Sequence, residues 1–221
     1  PSARSPAGGL LLTIRCLAGF AFHLFQVIWR PSLKRRFPHF TTADTSKFMT
    51  FVGVLYAVAQ GFVAQRLIAF AQRRDRVPTL LVTCCFALCF GRVVAVATPH
   101  LPLIYAAYAF VIVALGVFNS ALTSAVSRVA GPDERGGFFG LLTAVESVCG
   151  IVGPVAGGLL ARGWSLGGDF LVCALVVVLY GLAAAAVHRH WRILLLPCGV
   201  GLTSVQASTT AAPAAALKKV E

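Results

Sequence analysis

Apolar residues along this chain gather into runs of about 20, long enough at 1.5 Å per residue to cross a hydrocarbon core about 30 Å thick. The runs occupy residues 10–30, 48–70, 78–98, 101–123, 137–161 and 169–189. Between them lie short connections marked by proline, glycine or charge: "RPSLKRRFPHFTTADTSK", "AQRRDRVP", "PHLP", "SRVAGPDERGG" and "RGWSLGGD". The pattern predicts an all-α integral membrane fold of six transmembrane helices, because only helices of this length satisfy their own backbone in lipid. The run "ILLLPCGVGL" at 193–202 is too short to span and is broken by Pro197. It reads as interfacial, and the Ala/Thr/Ser/Pro-rich stretch after it reads as disordered.

Polar side chains inside such runs are costly in lipid and face protein or a water-filled path. Steps of 100° per residue show which of them share a face. The first span aligns Arg15, Gly19, Phe22 and Gln26, with His23 beside them. The second aligns Gly53, Ala57, Gln60 and Ala64, and the fourth aligns Tyr105, Tyr108, Ile112, Asn119 and Thr123. Each stripe mixes polar, aromatic and small residues, as a cavity wall does. The stretch 136–160, which makes up the fifth span, holds seven glycines, Pro154 and one acid, Glu146, near its middle. Gly150, Gly153 and Gly157 fall within about 40° of Glu146 on the helical wheel. Small residues let helix backbones approach in membranes, so Glu146 faces a neighbouring helix or a cavity. An ionised acid at mid-span costs roughly 2.5–3.5 kcal/mol on insertion scales. Glu146 is therefore paired, protonated or hydrated: a proton carrier, a contact for a cationic substrate, or a neutral strut between helices. Arg92 lies near the end of the third span and reads as snorkelling to the interface. The sixth span is apolar all round between Phe170 and Val187 and reads as peripheral and lipid-facing.

Composition supports the membrane reading. Hydrophobic residues make up 58% and charged residues 12%, with a mean hydropathy of +0.83, against about 25% charged in soluble domains. The net charge of +12 does not point to nucleic acid, because most of the Lys and Arg residues sit in the gaps between apolar runs, where they set membrane orientation. One side carries eleven of them (Arg4, Arg66, Arg73, Arg74, Arg76, Arg128, Arg135, Arg189, Arg192, Lys218 and Lys219) and the other six (Arg30, Lys34, Arg35, Arg36, Lys47 and Arg162). The positive-inside rule then places both termini in the cytoplasm. The basic loop after the first span opposes that vote; it is either solvated or a contact for anionic lipid or substrate. Seven cysteines are an odd set lying mostly inside apolar runs. Cys85 and Cys89 share a helical face but have no His, Asp or Glu nearby, so Cys84, Cys85 and Cys89 read as small apolar residues. No metal or cofactor is expected. The opening "PSARSPAGG" lacks the charged start and cleavage site of a signal peptide and reads as the end of a loop in a longer chain.

The stretch "SRVAGPDERGGFFGLLTAVESVCGIVGPVAGGLL" resembles a loop and following helix near the C-terminal end of major facilitator superfamily transporters. The match lies at Pro132, Arg135, Gly136, Gly140, Gly153, Pro154, Gly157 and Gly158. "GVLYAVAQGFVAQRL" resembles the second helix of the same half at Gly53, Gln60 and Gly61. The N-terminal half usually has Gly-x-x-x-Asp-Arg-x-Gly-Arg-Arg after its second helix; here Gln65 replaces the Asp. The chain therefore looks more like the C-terminal half, and most like the drug:proton antiporter and tetracycline-exporter branch, near its organic-cation-transporter-like members.

The resemblance implies a twelve-helix secondary transporter of a small organic solute, with an N-terminal six-helix half as its missing partner. Residues 1–9 would end the central cytoplasmic loop, 10–190 would form the six-helix half, and 191–221 would be a cytoplasmic tail. The first and fourth helices would line the cavity, with Arg15, His23, Gln26, Tyr105, Tyr108 and Asn119 as candidates. The second and fifth would meet the other half, placing Gln60 and Glu146 at that interface. Gly150, Gly153, Pro154, Gly157 and Gly158 would give close, bendable packing between halves. Arg66, Arg73, Arg74, Arg76 and Arg135 would form a cytoplasmic basic cluster able to close salt bridges with Asp133 and Glu134.

Two other classes compete. A non-transporting membrane scaffold or receptor shares the topology. An intramembrane serine protease would use "GWSLG" as G-x-S-x-G. There Ser165 and His188 stand at opposite ends of the sixth span, roughly 30 Å apart at 1.5 Å per residue, beyond hydrogen-bond reach.

Overall fold

The computed structural model describes residues 5–163 and 168–190. Among the described residues every regular element is helical. Six helices are long and apolar enough to cross a membrane: α1 Pro6–Arg36, α2 Thr42–Arg73, α3 Val77–Ala97, α4 Leu101–Val129, α5 Arg135–Gly163 and α6 Gly168–Arg189. The fold class expected from the apolar runs is the one observed. Ser165 and the stretches 1–4 and 191–221 lie outside the described residues.

Local chemistry sets the helix ends. The Ser5 side chain accepts a hydrogen bond from the Gly8 amide at 3.0 Å, and Pro6 follows at the first turn, where its missing donor costs nothing. Thr41 and Asp44 form a reciprocal capping box at the start of α2, satisfying two otherwise orphaned backbone donors. Between α2 and α3 the chain turns through Asp75 at φ 51°, a left-handed conformation that Asp tolerates better than most residues. Pro99 and Pro102 bracket the α3–α4 turn.

α1, α2 and α4 run further than the apolar pattern foretells, α2 by six residues at its start. α1 continues through Pro31 to Arg36, absorbing the first part of the expected basic loop. It stops at Phe37, ahead of Pro38, as a residue preceding proline disfavours helix. α4 runs six residues past its apolar run, from 123 to Val129. α2 opens into a π-helical segment, Ala59–Ala64. α4 fits against this segment at Gly116, where an added Cβ would lie 3.1 Å from the Ala59 Cβ.

The basic connection after α1 is structured rather than simply solvated. Arg36 donates to the carbonyls of Ala95, Val96 and Thr98 at 2.8–3.0 Å. It caps the C-terminal end of α3, where a cation also complements the helix dipole. Arg35 pairs with Asp169 at the start of α6. Two of the cations that oppose the orientation vote thus tie α1 to α3 and α6.

Arg92 does not snorkel. It is 2% exposed, donates to the Ala21 carbonyl at 3.2 Å, and lies 4.8 and 4.9 Å from the ring centroids of Phe25 and Tyr180. Aromatic faces from α1 and α6 hold the cation inside the bundle. α6 correspondingly has a covered face as well as an exposed one, on which Phe170, Val178 and Leu182 lie. Val172, Val176, Tyr180, Ala183 and Val187 are fully buried at helical spacing against α1 and α3. Because lipid and protein interior are both apolar, an all-apolar helix gives no polarity signal for which face is covered.

Candidate functional site

Four helices each contribute polar side chains to one hydrogen-bonded chain across the bundle. Arg15 on α1 forms an ion pair with Glu146 on α5 through Nη2. Its Nη1 donates to Asn119 Oδ1 on α4 at 2.9 Å. Asn119 Nδ2 donates to the Tyr56 hydroxyl on α2 at 3.0 Å. Gln60 Nε2, one turn along α2, donates to the same hydroxyl at 2.8 Å. The i, i+4 spacing of Tyr56 and Gln60 places them on one face. Pairing Glu146 with Arg15 offsets the cost of placing either charge at membrane depth, and their side chains keep 44% and 20% exposure.

This chain divides two spaces. The larger, about 970 Å³, is lined by polar side chains from the C-terminal parts of α2 and α4, among them Gln65, Gln72, Thr123, Ser124 and Ser127. Gln72 donates to Ser124 across it at 3.1 Å. The smaller, about 270 Å³, lies towards the opposite ends of those helices and is walled by apolar side chains including Phe22, Val52, Ile112, Leu115 and Phe118. Arg15, Tyr56, Asn119 and Glu146 line both. The network is thus a septum between a polar vestibule and an apolar chamber.

The structure brings Arg15, Asn119, Gln60 and Glu146 into direct or one-step contact, and Gln26 lines the smaller chamber. His23, Tyr105 and Tyr108 line neither space. His23 packs edge-on to Phe22 and against Gly150 and Gly153 of α5. Tyr105 and Tyr108 join Phe48 and Trp29 in an aromatic cluster. Their stripe continues down α4, but one turn beyond Ile112 the converging helices fill it with rings. Gln60 and Glu146 sit on the cavity wall.

The glycine face of α5 meets α1 of the same unit rather than another half. A Cβ on Gly153 would lie 2.6 Å from the His23 Cβ, and one on Gly157 3.4 Å from the Leu24 carbonyl. Pro154 is exposed, and a Cβ on Gly158 meets nothing within 4 Å. Arg66 and Arg73 lie on the last turns of α2 rather than in a loop. Arg74 stacks on Phe70 at 4.4 Å, Arg76 is exposed beside it, and Arg135 Nε donates to the Ala130 carbonyl at 3.4 Å.

Tyr56 is the member of the septum that sequence reasoning missed. Its signal was present, since Gly53, Tyr56 and Gln60 stand at i, i+3 and i+7 on the second span's polar stripe. Among the described residues no three His, Cys, Asp or Glu side chains cluster as metal ligands.

The profile of the Major Facilitator Superfamily matches residues 11–193. Comparison with curated proteins and with solved structures returned no match. The matched region runs from the first turns of α1 past the end of α6, carries both resembling motifs and contains every residue of the septum, so this multi-pass membrane chain belongs to the Major Facilitator Superfamily.

Proposed function

We propose that the chain is the C-terminal six-helix half of a secondary active transporter that moves a small organic solute by alternating access, with both termini cytoplasmic. The observation that carries this reading is the septum. A charged and hydrogen-bonded chain from α1, α2, α4 and α5 stands between two spaces that lie on either side of it along the helices. Sites at the bilayer midplane, exposed in turn to each side, serve alternating access. The partner half would rest on the outer faces of α2 and α5, the two spans least covered within this unit, with 17% and 22% of their apolar windows buried against 50% for α4.

Glu146 is the proposed proton-coupling group, as the acid of the septum. A proton arriving on it cancels the charge that holds Arg15, and the septum opens once a solute group supplies Arg15 with a new counter-charge. The test is the complete protein in proteoliposomes with a trapped pH-sensitive dye, challenged with a panel of sugars, amino acids, organic cations and organic anions. At least one solute should move protons, and Glu146→Gln should abolish that movement with membrane insertion unchanged. Undiminished proton movement in Glu146→Gln removes the residue from coupling. Failure of every solute to enter the vesicles removes the transport reading.

A further inference from the structure

The charge and shape of the septum specify the solute further. The larger space is lined by one acid, Glu146, and one base, Arg15, and these are bound to each other. The same pair supplies all the formal charge around the smaller chamber. A solute that engages the site must respect that balance. An organic cation can take Glu146 only by stripping Arg15 of its counter-charge, and an organic anion does the reverse. Either leaves an uncompensated charge at membrane depth, and removing one partner of such a pair is the strongly unfavourable case. A neutral polyol leaves the pair intact but wastes the adjoining apolar wall. A zwitterion exchanges one pair for two: its carboxylate takes the Arg15 guanidinium and its ammonium takes the Glu146 carboxylate.

The second observation is where the pair stands. Arg15 and Glu146 line both spaces, so a charged head seated on them has the apolar chamber beside it. Phe22, Ile112, Leu115 and Phe118 form its walls. Gly53 also lines it, and a Cβ added there would meet nothing within 4 Å. The chamber is open in part because position 53 carries no side chain.

We propose that the site takes a small zwitterion with an apolar side chain, an α-amino acid of the leucine or phenylalanine type. The charged groups bridge Arg15 and Glu146, and the side chain occupies the chamber beside Gly53. This rests on the transport reading above and narrows it. It also replaces the organic-cation class that the family branch implies, since the acid such a cation needs is already held by Arg15.

The experiment is binding of tritiated leucine to the complete purified protein, with competition by 3-methylbutylamine, 4-methylpentanoate and glucose. The amine lacks the carboxylate and the acid lacks the ammonium. Leucine should bind saturably, each singly charged analogue should compete at least tenfold more weakly, and glucose should not compete. Arg15→Gln and Glu146→Gln should each lower leucine affinity at least tenfold. Gly53→Leu should shift preference from leucine towards alanine by at least tenfold; it carries the test if either charge variant elutes as an aggregate. Absence of leucine binding, or an analogue or glucose competing as well as leucine, overturns the proposal. Vesicle uptake separates the two readings. Uptake of some other solute without leucine binding defeats the zwitterion and leaves transport standing, whereas uptake of no solute defeats transport itself.

Discussion

Arg36 shows how much one side chain can hold at a membrane boundary. Three carbonyls at the end of α3 accept hydrogen bonds from its guanidinium, and without it they would face a partly buried site. Hydrogen bonds to charged groups are each worth about 1.5–3 kcal/mol net, so Arg36→Ala should cost about 2 kcal/mol or more. Arg35→Ala should cost less than about 1 kcal/mol, because exposed ion pairs contribute little and the Arg35 side chain is 66% exposed. Thermal unfolding of the purified variants in detergent checks both; equal losses would mean that the cap carries no special weight. The run "KRR" is plain in the sequence, but its role is not. A cation at a helix end reads as an orientation signal until a second helix end, about 60 residues away in the chain, is placed beneath it. Arg92 makes the same point. Its depth in the span suggested snorkelling, and only Phe25 and Tyr180, from helices on either side, decide that it stays inside. Arg15, Gln60, Asn119 and Glu146 were legible because polar groups in apolar runs are few and helical phase puts them on shared faces. His23, Tyr105 and Tyr108 were misplaced because phase gives a direction around one helix and not the distance to its neighbour.

At the level of elements, the α1–α5 contact depends on absent side chains. A Cβ on Gly153 would fall 2.6 Å from the His23 Cβ, which is fixed to its backbone and cannot rotate away. Gly153→Ala must therefore push α5 off α1, and overpacking of this kind costs typically about 1–3 kcal/mol. Gly158→Ala enters open space, and replacing a helical glycine there should be neutral or stabilising by up to about 1 kcal/mol. Melting temperatures of the two variants should thus move apart, Gly153→Ala downward. Similar values for both would show that the glycine face is not a tight contact. Because the septum hangs Arg15 on α1 and Glu146 on α5, Gly153→Ala should also weaken solute binding without touching the cavity. The existence of all six helices was legible, since each is a run of about 20 apolar residues bounded by Pro, Gly or charge. Their full extents were not. The last turns of α1 and α4 are amphiphilic, and the π-helical segment Ala59–Ala64 leaves no mark in hydropathy.

At the scale of the whole molecule, the uneven cover of the bundle is the feature that needs a cause. α5 presents Val148, Ile151, Val155 and Leu159 outward at 58–71% exposure, and α2 presents Val54 and Phe62 at 61% and 66%. α3 and α6 expose Phe86, Phe90 and Phe170 at 63–67%. Exposure alone does not distinguish the two sides, because lipid and a protein partner are equally apolar. Position relative to the septum does. α2 and α5 flank the polar vestibule, and a vestibule open along its length to hydrocarbon would bring Gln65, Gln72 and Glu146 against lipid, where unsatisfied polar groups are costly. A second six-helix half across α2 and α5 would close it, while Phe90 on α3 would remain in lipid. Tryptophan introduced at Phe90 should therefore be quenched by brominated phospholipid in the complete reconstituted protein, as read from the signal added over the parent. Tryptophan at Ile151 or Phe62 should be protected. Quenching at Ile151 as strong as at Phe90 would place lipid on the vestibule side and remove the two-half arrangement, because no second half could then cover α5.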